Sequence, residues 1–135
     1  ELIRRHYPDL PIIARAYDRA HAYDLHHACA SYIIRELADS AMRGGRIALE
    51  KIGMQPEKAR EMSKFYAARD RYLSDRLAEV YDPSVPIFTN KDLLRVVKEV
   101  DSETHEMMQT LLRGEEVDWY EEHDTPETHM KRGIS

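Results

Sequence analysis

Leu10-Pro11-Ile12-Ile13-Ala14-Arg15-Ala16 and Tyr32-Ile33-Ile34-Arg35-Glu36 are the two stretches on which the fold of this chain turns. Each is a short apolar run rich in isoleucine, which is the pattern of a buried strand. The first is expected to span Leu10 to Ala16, and the second to start at Tyr32 and end at Arg35 and Glu36. Between them Asp18 is placed to cap a helix running to about Ala28. Ahead of them Glu1 to Tyr7 reads as the last turns of a helix, stopped by Pro8 and Asp9 because a proline pushes its predecessor out of helical geometry. Helix, strand, helix, strand is the rhythm of a parallel α/β sheet.

Beyond Glu36 the pattern is helical only. Leu37 to Ile52 reads as one helix, ended by Gly53. Within it the pair Gly44-Gly45 costs an isolated helix roughly 1 kcal/mol per glycine, so a close approach to a strand or another helix is expected there. Pro56 suits the first position of a helix reaching about Tyr81. On it Met62, Phe65, Leu73, Leu77 and Val80 fall near one face. Two prolines stiffen the loop Asp82-Pro83-Ser84-Val85-Pro86. Thr89 is then expected to cap a last helix, with Asp92 three residues on. Its apolar seam is read as Leu93, Val97, Val100, Thr104, Met107 and Leu111, too short for a true coiled coil. From Gly114 the chain has the composition of a mobile tail, with Trp119 and Tyr120 able to dock. The expected fold class is therefore α/β and helix-rich, with two short parallel strands followed by long helices.

The net charge of -5 over 135 residues is unevenly placed. Glu115, Glu116, Asp118, Glu121, Glu122, Asp124 and Glu127 fall in one stretch without a lysine or arginine, and the chain before them is balanced. Binding to a phosphate backbone needs a concentrated basic face, so a nucleic-acid partner is not expected. No apolar run is long enough to span a bilayer. The single cysteine, Cys29, leaves no internal disulfide framework and fits a reducing compartment.

Sites for chemistry are sparse. His21, His26, His27 and Cys29 are zinc-type ligands lying close together, but His21 and His26 are five apart and His26 and His27 face different ways, so no metal site is expected. No nucleophile elbow or glycine-rich phosphate loop is present, and no enzyme activity is expected of these residues alone. Two arginines carry more weight. Arg15 lies inside the first strand and Arg35 at the end of the second, and in parallel α/β sheets ligands gather at the carboxyl ends of strands. Each is a candidate contact for an anion; the competing reading is a salt bridge to a neighbour such as Asp18 or Glu36.

Those stretches also carry a resemblance. His6 to Ala16, Asp18 to His21, Arg35-Glu36 and Gly45-Arg46-Ile47-Ala48-Leu49-Glu50 together resemble the Kef family of potassium-efflux, monovalent cation:proton antiporters. The likeness covers about Glu1 to Leu77 and falls in the second half of the family's cytoplasmic RCK-N (KTN) regulatory domain. It implies a Rossmann-like half-domain at 1–54, a helical extension at 55–113 and an acidic tail at 114–135. It further implies a homodimer, attached in the full-length protein to an antiporter membrane domain at the cytoplasmic face of the bacterial inner membrane. A nucleotide site of NAD or AMP type would be mostly upstream of Glu1, leaving no complete cofactor site here.

In glutathione-responsive members an arginine at the strand end and an asparagine on the following long helix bind the ligand. Those positions match Arg35 and Asp70. A carboxylate in place of the amide repels a carboxylate-rich ligand, so a small anionic effector other than glutathione is expected, with Arg35, Asp70 and Arg15 as the candidate ligand-binding residues. Two other readings of the sequence are a helical protein–protein interaction module and the remnant of a dinucleotide-binding oxidoreductase.

Overall fold

In a computed structural model, which describes residues 1–119, those residues divide into two compact units, 1–40 and 41–119. The elements in order are α1 (Leu2–His6), β1 (Ile13–Ala16), α2 (Arg19–His27), β2 (Tyr32–Arg35), α3 (Ala38–Lys51), α4 (Pro56–Val80), a 3-10 turn (Ile87–Thr89) and α5 (Lys91–Leu112). The fold class is α/β and helix-rich, with two short parallel strands, as the residue pattern suggests.

In the first unit β1 and β2 pair in parallel, with Ile13 opposite Tyr32, Arg15 opposite Ile34 and Ala16 opposite Arg35. The first strand is shorter than its apolar run. Pro11 has no N–H to give, and the Ile12 N–H donates to the Ser31 hydroxyl at 3.0 Å instead of to a strand partner. Arg4 fastens this corner by donating to the carbonyls of Pro8, Leu10 and Cys29 and to the Ser31 hydroxyl. The helix α2 begins at Asp18, whose carboxylate accepts from the His21 N–H at 2.8 Å, as a helix cap should. It packs back on both strands, burying Ala16, Ala22 and Tyr23.

The strands are not buried as their composition suggests. Side chains alternate across a strand, and the face carrying Ile13, Arg15, Tyr32 and Ile34 is open, with Ile13 71% and Tyr32 54% exposed. Among the described residues, a sheet of two strands covered by one helix has no second layer for that face.

In the second unit α4 and α5 form an antiparallel hairpin, since Lys58 meets Leu111, Arg69 meets Thr104, and Asn90 meets Val80. From α4 the buried residues are Ala59, Met62, Phe65 and Leu77, and from α5 Leu93, Val96, Val100, Thr104 and Leu111. The α5 seam thus runs through Val96, not Val97, which is 41% exposed.

Helices α3 and α5 end in the same way. Gly53 (φ +106°) and Gly114 (φ +82°) take the left-handed conformation, which glycine enters without a Cβ clash. Met54 N–H returns to the Leu49 carbonyl and Glu115 N–H to the Thr110 carbonyl, closing a Schellman turn at each end. Gly44 and Gly45 correct the expectation of a close approach: a Cβ on either would meet nothing within 4 Å.

The cap of α5 is Asn90 and not Thr89. The Thr89 hydroxyl donates to the Pro86 carbonyl inside the 3-10 turn, so the next residue takes the role. Asn90 Oδ1 accepts from the N–H groups of Asp92 and Leu93, both at 3.1 Å, while its Nδ2 donates to the Val80 carbonyl at 3.3 Å. One buried side chain therefore starts α5 and satisfies the end of α4. Asn90→Ala is expected to lower the stability of this unit by about 1–2 kcal/mol, the loss of a cap together with an orphaned carbonyl. Urea unfolding measures it, and a midpoint unchanged from the parent would contradict the dual role.

Candidate functional site

At the carboxyl ends of the strands the turn from β1 to α2 consists of Tyr17 and Asp18. Tyr17 stacks on His21 with ring centroids 4.2 Å apart, and its N–H points to His21 Nδ1 at 3.4 Å. Beside them Arg15 Nε lies 3.7 Å from Glu36 Oε2, with both side chains well exposed. An exposed pair at this distance contributes little to stability, about 0–1 kcal/mol. The guanidinium is thus only loosely engaged by Glu36.

Arg15 and Arg35 share this strand end but not one face. Arg15 pairs with Ile34, so Arg35, one residue further on, projects to the opposite side of the sheet, beside Ala16. Arg15 is on the open face and Arg35, half-buried, on the α2 face. One compact anion held by both arginines is not the arrangement this register provides.

The turn does not suit a dinucleotide phosphate. A phosphate cradle needs glycines where strand passes into helix and free N–H groups at the helix start. Here that turn has no glycine, and the Asp18 carboxylate already occupies the His21 N–H.

The third candidate, Asp70, belongs to the second unit and is half-buried on α4, its carbonyl accepting from the Ser74 hydroxyl at 2.9 Å. It lies beside a polar ladder that the sequence patterns did not reveal. Arg69 Nε donates to Thr104 Oγ1 and its Nη2 to Glu103 Oε2, both at 2.9 Å. The Thr104 hydroxyl in turn donates to the Val100 carbonyl at 2.6 Å. Tyr72 is bracketed by two guanidinium groups, Arg69 at 4.6 Å and Arg76 at 5.7 Å from its ring centroid. Arg76 also donates to the Tyr72 hydroxyl at 2.8 Å and lies 3.5 Å from Glu99. That hydrogen bond and the attraction of Tyr72 hold Arg76 above its ordinary pKa, with Glu99 and Glu79 adding to it against a cost from burial. The spacing of Arg69, Tyr72 and Arg76 on α4 was the available signal, since groups three and four apart share a helix face.

Comparison with known proteins places this second unit. Residues 40–129 match the family model described as the potassium efflux system KefB C-terminal domain. The chain belongs to that family. The start of the KefB C-terminal match falls at the boundary between the two units, within α3. Asp70 lies inside the matched residues, while Arg15 and Arg35 lie outside them.

Among curated proteins the chain is 37% identical over 79 residues to the glutathione-regulated potassium-efflux system protein KefC of Cronobacter sakazakii. That alignment covers 58% of this chain and 13% of the relative. The protein of the same name from Escherichia coli O139:H28 is 35% identical over 80 residues, covering 59% and 13%. The chain thus spans about one eighth of the length of these relatives. No solved structure matches. Among the described residues no helix is long and apolar enough to cross a membrane.

Proposed function

We propose that this chain is a cytoplasmic regulatory and dimerisation segment of a Kef-type potassium/proton antiporter, without chemistry of its own. The observation that carries the reading is the KefB C-terminal domain match over residues 40–129, joined by relatives whose names describe potassium efflux. The transporting activity belongs to a membrane domain elsewhere in the full-length protein. The turn after β1 has no glycine to cradle a phosphate, so a nucleotide of the NAD or AMP type is held elsewhere in the full-length protein.

Regulation in this reading is a coupling between effector binding and one arrangement of a dimer. An effector shifts such an equilibrium only by its different affinity for the two arrangements. Arg35 is the anion contact, Arg15 a second cationic group on the other face, and Asp70 the group that selects against glutathione. The second copy pairs through the first unit, whose open sheet face and strand edges are of the kind that proteins cover.

Potassium and proton movement by the full-length protein in membrane vesicles, with and without glutathione adducts, tests the proposal. Proton-coupled potassium movement that ignores the adducts is the expected result, and absence of transport would overturn it. Arg35→Ala is expected to weaken effector binding about tenfold or more, about 1.4 kcal/mol, with circular dichroism unchanged. An effector titration indistinguishable from the parent would remove Arg35 from the site.

A further inference from the structure

From Gly114 to Trp119 the chain stays on the surface of the second unit. Val117 and Trp119 pack against the cluster of Met62, Phe65 and Leu111, with the Trp119 ring edge-on to Phe65 at 5.8 Å and 83°. Four methionines, Met54, Met62, Met107 and Met108, contribute to this apolar surface. From Glu116 to Trp119 the pattern alternates: Glu116 and Asp118 are exposed while Val117 and Trp119 are half-buried. A non-helical segment laid on a surface, with a tight turn at Asp118, shows that alternation.

The attachment is by side chains. Among the described residues, the segment's backbone hydrogen bonds are local, from Glu115 N–H to the Thr110 carbonyl and from Trp119 N–H to the Val117 carbonyl. Its root is Gly114, whose φ of +82° ends α5 and turns the chain back. Lys58 sits at that root, donating to the Leu111 carbonyl and to Glu61, both at 2.7 Å. The slot is therefore apolar, lined by side chains that adapt to different shapes, with a lysine near the point where an acidic segment enters.

We propose that this slot is a recognition site for an acidic peptide segment bearing an apolar anchor and, two residues on, an aromatic one. Residues 115–119 occupy it in cis as a detachable latch. A segment of the same chemistry on another polypeptide takes the slot when the latch is out, and the latch sets the concentration that partner must reach. Flexible methionine side chains suit a site that accepts more than one occupant. Among the described residues the segment has no backbone ladder, which keeps release local to one glycine turn.

The experiment uses the 135-residue chain with Trp119→Ala and, as probe, the acetylated and amidated peptide Arg-Gly-Glu-Glu-Val-Asp-Trp, which reproduces residues 113–119. Trp119 is the only tryptophan in the chain, so in the variant the peptide carries the only indole, which is excited selectively at wavelengths the eight tyrosines do not absorb. Saturable binding with a blue-shifted emission is expected. A fluorescein-labelled copy followed by anisotropy is expected to bind the parent chain at least tenfold more weakly, because its own latch competes. The peptide with its tryptophan replaced by alanine is expected to bind neither. Equal affinity for parent and variant would place the peptide elsewhere and overturn the proposal. So would absence of binding to a variant of unchanged helicity. Loss of α4 and α5 helicity in Trp119→Ala would overturn it too, by making Trp119 part of the fold's core instead of a latch.

Discussion

Phe65→Ala is expected to lower the unfolding free energy of the α4–α5 unit by about 3–5 kcal/mol. Phe65 has 0% exposure, and it is both the centre of the Met62, Phe65 and Leu111 cluster and the ring on which Trp119 rests. Truncation removes its apolar area and leaves a void that the long helices close only in part. Total stabilities are near 0.05–0.15 kcal/mol per residue, so this one change takes up a large fraction of what a unit of this size has. Phe88 supplies the contrast. It is the chain's other phenylalanine and is 90% exposed, so Phe88→Ala is expected to stay within about 0.5 kcal/mol. Urea unfolding followed by circular dichroism compares the pair. A loss below about 1 kcal/mol for Phe65→Ala, or equal losses for the two, would show that this cluster is not what holds α4 to α5.

The elements of this fold were legible because their signals are local. Isoleucine runs mark the strands, Asp18 and Pro56 mark two helix starts, and Gly53 marks a stop. Reading failed where a choice depended on a partner. Counted from Leu93 at about 100° per residue, Val96 and Val97 fall some 60° to one side and 40° to the other of the same line. Periodicity cannot separate them, and the crossing of α4 selects Val96. Thr89 and Asn90 are both good caps, and only the 3-10 turn, by using the threonine hydroxyl, decides between them. Trp119 was legible as a residue able to dock but not its slot, because Met62, Phe65 and Leu111 come together only when the hairpin closes.

The candidate site shows the same division. That Arg15 and Arg35 sit near strand ends follows from the two apolar runs. That they point to opposite faces follows from the register, in which Ala16 and not Arg15 lies opposite Arg35. A slip of one residue would have put the two on one side. Gly44 and Gly45 remain without a structural account, since open space surrounds both.

Asp70→Asn, made in the full-length protein, is expected to create a response to glutathione adducts at concentrations that the parent ignores. The half-maximal concentration should fall about tenfold or more. Glutathione carries two carboxylates, and a third on the protein opposes it through a partly screened Coulomb term of about 1–2 kcal/mol. Asparagine removes that charge at nearly constant shape, and the two residues have similar helix propensity. Potassium release from vesicles over a series of adduct concentrations measures the change. A parent protein already gated by adducts, or a variant with unaltered sensitivity, would remove Asp70 from ligand selection. The same variant made in an Arg35→Ala background tells whether the two residues serve one ligand. If they do, the gain from Asp70→Asn shrinks when Arg35 is absent, since a ligand no longer held at one end profits less from relief at the other. Independent sites would instead give effects that add within about 0.5 kcal/mol. Additivity would therefore separate the strand-end arginine from the α4 acid and confine the resemblance in ligand binding to one unit of the chain.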